Sequence, residues 1–263
     1  MAAVRRRPSE PLTLRAMAEM ADLSPFHFDR VFRAVAGAAP FEFQAAVRID
    51  EAKRLLVTTD LSVTEVCFEM GYSSLGTFSA RFARLVGASP ASLRRIAQRP
   101  LQDELLRLGQ LGPLRPAAPP AYRPDASGGA LGVRGEITLD RPGPTLVFVG
   151  LFSERIPQGW PVAGTILPRP GPFRIVPVPD GRYHLLAAAV PWFDDPQRML
   201  LPGDALRVGT AGPTTVHGGG GARRLGVAMR PPAPTDPPIV VALPLLLARR
   251  VALIRERAVP GAR

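Results

Sequence analysis

Few side chains in this 263-residue chain are equipped for acid–base, nucleophilic or metal chemistry: it holds three histidines and one cysteine. A hydrolytic or metal centre needs His, Cys, Asp or Glu at spacings that converge their lone pairs on one point. In the second half the candidates are His184, His217, Asp194 and Asp195, and no pair of them has such a spacing. The run from His217 through four glycines is similar to an oxyanion-hole loop, but no Gly-x-Ser-x-Gly elbow accompanies it, so it reads as a flexible glycine loop. Cys67 stands alone, which excludes an internal disulfide and a cysteine-based zinc site. What remains is guanidinium chemistry. A net charge of +11 and a pI near 11.3 suit a polyanionic partner. The excess lies mostly outside the first hundred residues, however: residues 1–110 carry a net +3 and residues 111–263 a net +8, with Lys53 the only lysine. Charge by itself therefore selects no partner.

The elements that carry these arginines are duplicated. A shift of 50 residues superposes Phe28 on Phe78, Phe32 on Phe82, Gly37 on Gly87 and Pro40 on Pro90. Upstream the best shift falls to 49, pairing Thr13 with Ser62, Leu14 with Val63, Met17 with Val66 and Ala18 with Cys67, so the turn of the second copy holds one extra residue. In the first copy Thr13 is a predicted N-cap, with Leu14, Met17, Ala18 and Ala21 at helical spacing, and Asp22-Leu23-Ser24 makes a turn. Ser24 then caps a second helix with Pro25 at its first position, where a missing N–H costs nothing. Phe28, Val31, Phe32 and Val35 form its predicted apolar stripe, and Gly37 with Pro40 ends it. In the second copy Ser62 caps, Gly71 lies in the turn, and Phe78, Phe82, Leu85 and Val86 make the stripe. Two helices joined by a tight turn, the second exposed along one face, form a helix-turn-helix unit. Between the copies Ala45, Ile49, Ala52 and Leu56 recur at helical spacing, without Gly or Pro from Phe41 to Thr59. This predicts one stiff connecting helix, able to hold two recognition helices in successive major-groove segments about 34 Å apart.

The segments 24–40, 48–56 and 62–90, in this order and spacing, resemble the DNA-binding domain of the AraC/XylS transcription regulators over about residues 10–98. The resemblance implies an all-helical module that recruits or blocks RNA polymerase at promoter DNA. On the first recognition helix the face opposite the stripe presents Phe26, Asp29, Arg30 and Arg33, and by similarity Phe26, Asp29 and Arg30 point into the groove. Arg30 suits guanine O6 and N7, Asp29 cytosine N4, and Phe26 a thymine methyl. His27 reads as structural. On the second helix Ser74, Leu75, Gly76, Thr77, Ser79 and Ala80 occupy the groove-facing stretch, and Ala80 stands where the family often has arginine. Arg81 and Arg84 remain as phosphate contacts, which position without specifying. Direct readout is therefore expected mainly from the first unit. Ser24, Pro25, Ser62 and Ser74 are kept as structural, whatever Ser74 also gives to DNA.

Residues 112–129 contain five prolines and few apolar side chains, the composition of a linker. Beyond it, short apolar runs alternate with Pro/Gly breaks at 132–139, 145–152, 173–178, 182–190 and 222–229, which predicts strands and a β-sandwich. Residues 171–190 resemble a prealbumin-like or carboxypeptidase-regulatory sandwich, in which Pro179, Asp180 and Gly181 would turn between two paired strands and Tyr183 would start the second. The segment 191–196 reads as a loop with Trp192 tucked in, an aromatic ligand-binding loop being the alternative. In the tail, Asp236-Pro237 makes a helix start, or a short strand precedes a helix from Pro244 to Arg257.

The chain is thus expected to be multidomain: an all-α double helix-turn-helix domain over 10–108, a linker over 109–130, and a mainly-β, sandwich-like domain over 131–263 that senses a ligand or mediates association. The expected function is sequence-specific transcription regulation, without enzymatic activity, metal or cofactor. Expected partners are double-stranded promoter DNA, RNA polymerase, a small-molecule effector and a second copy of the chain. The alternatives are an enzyme, for instance an alkyl-transfer repair activity using Cys67, or a protein-docking domain fused to the DNA-binding module. No run reaches the roughly 18 apolar residues of a membrane helix, since Pro244, Arg249 and Arg250 break the most apolar one. The N-terminus lacks the apolar core of a secretory signal, and a cytoplasmic location is expected.

Overall fold

The computed structural model describes residues 1–99, 132–140, 145–217 and 223–246, and the chain divides into two compact units. The first comprises Met1–Ala97 with Arg155–Gly159 and Pro232–Ala242. Its helices are α1 (Ala2–Arg6), α2 (Leu14–Glu19), α3 (Pro25–Ala36), α4 (Pro40–Thr58), α5 (Val63–Glu69), α6 (Leu75–Val86) and α7 (Pro90–Ala97). The three predicted caps form, and Ser74 adds a fourth. Thr13 Oγ1 accepts from Ala16 N at 3.1 Å, Ser24 Oγ from His27 N at 3.4 Å, Ser62 Oγ from Glu65 N at 3.1 Å and Ser74 Oγ from Thr77 N at 3.3 Å. Each satisfies one N–H that a helix start leaves without an intrahelical acceptor, a contribution of about 1 kcal/mol. Ser74 is thereby an N-cap of α6 and precedes the helical stretch in which it was grouped with the groove-facing residues.

The duplication extends to the backbone of the turns. Leu23 N donates to Ala18 O at 3.0 Å and Asp22 N to Glu19 O at 3.1 Å; 49 residues on, Tyr72 N donates to Cys67 O at 3.1 Å and Gly71 N to Phe68 O at 2.9 Å. This nested pair of bonds satisfies the last carbonyls of α2 and α5 and requires a left-handed residue just after the helix. Gly71 supplies it at φ 72°, and its counterpart Asp22 does so at φ 54°. Ala18 and Cys67, paired by the shift, are both fully buried.

On α3 the buried residues are Phe28, Phe32 and Ala36, while Val31 and Val35 stand 38% and 55% exposed. The predicted stripe of four is therefore narrower: α3 packs along the 28–32–36 row, and the two valines flank it on the open side. On α6 all four predicted residues, Phe78, Phe82, Leu85 and Val86, are buried. The rings repeat the same geometry, Phe28–Phe32 at 5.5 Å and 48° and Phe78–Phe82 at 5.7 Å and 51°, each closed by a third ring, Phe43 or Tyr72. Gly37 and Gly87 end these helices in the left-handed conformation, which relieves the clash a Cβ would suffer there; Pro40 then opens α4.

The connecting helix α4 has the predicted extent. Ile49, Ala52 and Leu56 are buried as expected, but Ala45 is only half-buried and its neighbour Ala46 is fully enclosed. Lys53 is 4% exposed. Its ammonium pairs with Asp50 at 2.9 Å and donates to Ile239 O at 2.9 Å, so the charge is matched inside the unit. Arg94 of α7 donates to the carbonyls of Leu56 and Leu61, bracing the end of α4. The helix α1, which polar composition concealed, buries Val4 and sets the Arg5 guanidinium over the Phe43 ring at 5.3 Å.

Among the described residues the second unit holds seven strands: β1 (Val133–Leu139), β2 (Thr145–Phe152), β3 (Ala163–Leu167), β4 (Pro172–Ile175), β5 (Gly181–Pro191), β6 (Arg207–Val216) and β7 (Arg223–Met229), with a short helix α8 (Pro196–Leu200) after β5. They form a sheet of order β4-β1-β7 and a sheet of order β3-β2-β5-β6. One apolar cluster draws on both, including Val133, Ile137, Phe173 and Val227 from the first and Val147, Leu151 and Leu185 from the second. All five predicted runs contain a strand; β3 and β6 were not predicted. β6 contains Gly212-Pro213 and lies at an edge of its sheet, where a missing N–H interrupts no second ladder.

The expected pairing across Pro179-Asp180-Gly181 is not formed. β4 pairs with β1, and β5 with β2 and β6, so this turn carries the chain from one sheet to the other. Tyr183 is the third residue of β5, and its hydroxyl donates to Pro179 O at 3.1 Å, tying the crossing to the strand. Of the two predicted readings of the tail, the helix start at Asp236-Pro237 and the short strand are not formed, whereas a helix does begin within one residue of Pro244. Asp236 lies in a turn and accepts from Ala233 N at 2.7 Å, and residues 237–242 are neither helix nor strand. A helical turn begins at Leu243, while the continuation to Arg257 and the linker at 109–130 lie outside the described residues.

Candidate nucleic-acid interface

Burial of Phe28 and Phe32 orients α3 so that its first two turns present the opposite face. Phe26 is 82% exposed, Arg30 and Arg33 are exposed, and Asp29 is half-buried. A phenylalanine this exposed, one helical turn from Arg30, is not explained by packing of this unit. The polar residues pair along the helix. Arg33 Nε donates to Asp29 Oδ2 at 2.8 Å, and Arg30 lies 3.0 Å from His27 Nδ1. The bond to Asp29 is the main reason the Arg33 guanidinium is held above its ordinary pKa. Asp29, expected to face a base, is thus engaged by Arg33 in the free protein.

The N-terminal half of α6 is plainer. Leu75 is 41% exposed, Gly76, Thr77 and Ala80 are exposed, and Ser79 is half-buried. The 50-residue shift sets Gly76 where α3 has Phe26 and Ala80 where it has Arg30. Arg81 and Arg84 are exposed, and neither takes part in an ion pair among the described residues. Their charge is available to a phosphate. The sequence assigned His27 to structure; its spacing of three from Arg30 on a helix was the signal that the imidazole and the guanidinium meet.

The candidates for other chemistry are dispersed. Cys67 is fully buried, and desolvation pushes its thiol pKa up, away from the thiolate a nucleophile needs. Asp194 accepts from the Trp192 indole at 3.0 Å, and Asp195 caps α8 through Gln197 N at 2.9 Å. Trp192 is 47% exposed and so is not tucked in. His184 sits half-buried in β5 at an irregularity of the β5–β6 register, and His217 is exposed just past β6; Gly218–Gly221 lie outside the described residues. Among the described residues no three His, Cys, Asp or Glu side chains are placed to hold a metal ion, and no described helix is long and apolar enough to cross a membrane.

Residues 17–96 match the family model described as a helix-turn-helix domain. The transcriptional regulator GlxA of Rhizobium meliloti is 41% identical over 85 residues, covering 32% of this chain and 26% of GlxA. The bifunctional transcriptional activator and DNA repair enzyme AdaA of Bacillus subtilis is 28% identical over 90 residues, covering 34% of this chain and 43% of AdaA. The chain thus matches less than half the length of each of these two relatives. The transcriptional activator AarP of Providencia stuartii is 34% identical over 95 residues, covering 36% of this chain and 70% of AarP. Among solved structures, the DNA-binding domain of AdpA in complex with a target DNA is 35% identical, with a TM-score of 0.34, covering 36% of this chain and 85% of that one. With a relative matched over most of its length, and with both helix-turn-helix units formed around the same aromatic pairs, the chain belongs to the AraC-type family of helix-turn-helix transcription regulators.

Proposed function

We propose that this chain regulates transcription by binding promoter DNA through α3 and α6 in successive major-groove segments. One observation carries the reading: the two recognition helices are fixed on the single helix α4 with their N-terminal halves open, and α3 exposes Phe26 beside Arg30. α3 is the reader. Arg30 donates to guanine and Phe26 meets a thymine methyl, while Arg33, held by Asp29, contacts phosphate with Arg81 and Arg84. Leu75, Gly76, Thr77 and Ala80 give α6 close approach with little discrimination, and Ser74 orients its first turn.

The module extends over 10–108 and the linker over 109–130. The strands within 131–263 form a sandwich in which the two sheets face each other, with segments 155–159 and 232–242 lent to the helical unit, and this domain senses a small-molecule effector or joins two copies of the chain. RNA polymerase is the partner at the promoter, the location is cytoplasmic, and the chain has no enzymatic activity. The test is selection of bound fragments from a random duplex pool by the full chain, followed by titration in salt. Enrichment of a bipartite motif with half-sites one helical turn apart, and affinity that falls steeply with salt, support the reading. Recovery of no motif overturns it.

The similarity to AdaA favours a second reading, alkyl transfer to Cys67. The buried thiol with its raised pKa argues against it. Mass spectrometry after incubation with methylated DNA separates the two: an alkylated Cys67 establishes the repair reading, and an unmodified one removes it.

A further inference from the structure

We propose that His27 is a positioning residue for base readout: it holds the Arg30 guanidinium at the N-terminal end of α3, where its reading of a guanine is set before DNA arrives. The inference rests on the reading of Arg30 given above. A guanidinium only donates, so in the 3.0 Å contact His27 Nδ1 is the acceptor and the ring proton sits on Nε2. The bond spans three residues backward along the helix, the direction in which long helical side chains naturally lean. It brings the Arg30 head back to the first turn, the part of a recognition helix that meets base edges, the turn that also carries exposed Phe26. His27 itself is half-buried and its backbone N–H is taken by the Ser24 cap, so the ring projects from a fixed point.

The competing partner is removed from the same helix. Asp29, one residue from Arg30, is engaged at 2.8 Å by Arg33, one turn further along. Two parallel pairs thus divide the work: Asp29 with Arg33 and His27 with Arg30. An imidazole nitrogen restrains the guanidinium without neutralising it, leaving its other N–H groups and its full charge for a base. A carboxylate in that place would compete with the base for them. The second copy has Thr77 and Ala80 at the corresponding positions and carries no such pair.

The test compares full-length wild type with His27→Ala, His27→Gln, Arg30→Ala and the double variant His27→Ala/Arg30→Ala. Base preference is read position by position over the selected site, and affinity for unrelated duplex is read in parallel. Arg30→Ala is expected to relax preference at one base pair. His27→Ala is expected to relax the same base pair by about fivefold, less than a whole bidentate contact provides, leaving unrelated duplex binding and its salt slope unchanged. Gln, whose amide oxygen also accepts, restores part of the preference, and the double variant is no worse than Arg30→Ala alone. Unchanged preference in His27→Ala while Arg30→Ala relaxes it overturns the role of His27 and leaves the reading of Arg30 intact. Relaxation at a different base pair, additivity in the double variant, or a loss of unrelated duplex binding with a lowered thermal midpoint also overturns it. If Arg30→Ala relaxes no position, both fall.

Discussion

Single side chains on this unit do work that their residue type alone does not announce. Glu65 completes a capping box: Ser62 N donates to its Oε2 at 2.6 Å while Ser62 Oγ accepts from Glu65 N. Bonds from Ser62 to the carboxylate are the main cause of a Glu65 pKa below its ordinary value. A carboxyl group with a folded-state pKa below its unfolded one adds stability above the ordinary carboxylate range, and that stability is lost as pH falls through the folded value. Glu65→Gln keeps a neutral acceptor and removes the charge. Thermal midpoints of the two proteins should differ at neutral pH, wild type being higher, and converge as the pH is lowered through the acid range. A gap that persists in acid would contradict this origin.

The elements are specified by residue pairs that recur at fixed shifts. Gly71 and Asp22 occupy the same left-handed turn position, but Gly71 also lies against Ser9, where a Cβ would come within 2.8 Å of a backbone oxygen. Gly71→Ala is therefore expected to lower unfolding free energy by about 1–3 kcal/mol, from left-handed strain and the close approach together. Asp22→Gly should change it little, because aspartate tolerates this conformation and the gain is offset by unfolded-state entropy. Urea denaturation of both variants measures the contrast. A second contrast tests the narrowed stripe. Phe82→Ala removes a fully buried ring and should cost about 3–5 kcal/mol, whereas Val35→Ala, at a residue 55% exposed, should stay within about 0.5 kcal/mol. Equal losses at the two sites would restore Val35 to the core.

At the scale of the whole chain, the helical unit is not contiguous in sequence. Segments 155–159 and 232–242 belong to it: Gly159 N donates to Leu85 O at 2.7 Å, Ala242 N to Val86 O at 3.0 Å, and Ile239 O accepts from buried Lys53. Val240 and Ala242 are fully enclosed. A fragment ending at Arg99 would leave the last carbonyls of α6 without these donors and Lys53 with Asp50 alone. It is expected to lose helical circular dichroism at a lower urea concentration than the full chain, and a chain in which Lys53 is replaced by Met should narrow that difference. Equal midpoints would show that the two distant segments add nothing to the unit.

Much of this was legible in the sequence because it depends on local chemistry. Ser-Pro starts, Gly stops and aromatic rows at helical spacing fixed the two helix-turn-helix units, since caps and stripes act within a few residues of themselves. The paired doublets at 28/32 and 78/82 likewise exposed the duplication. What no local pattern could reveal was partnership over distance: that Val31 and Val35 remain open, that β4 and β5 separate into different sheets, that a proline-bearing segment serves as the edge strand β6, and that Ile239 faces Lys53. At the candidate interface the sequence named the exposed set on α3, and helical spacing left Asp29 one arginine at i,i+4 and His27 one at i,i+3; only the folded helix showed both pairs closed, at 2.8 and 3.0 Å, so that Asp29 is already engaged in the free protein.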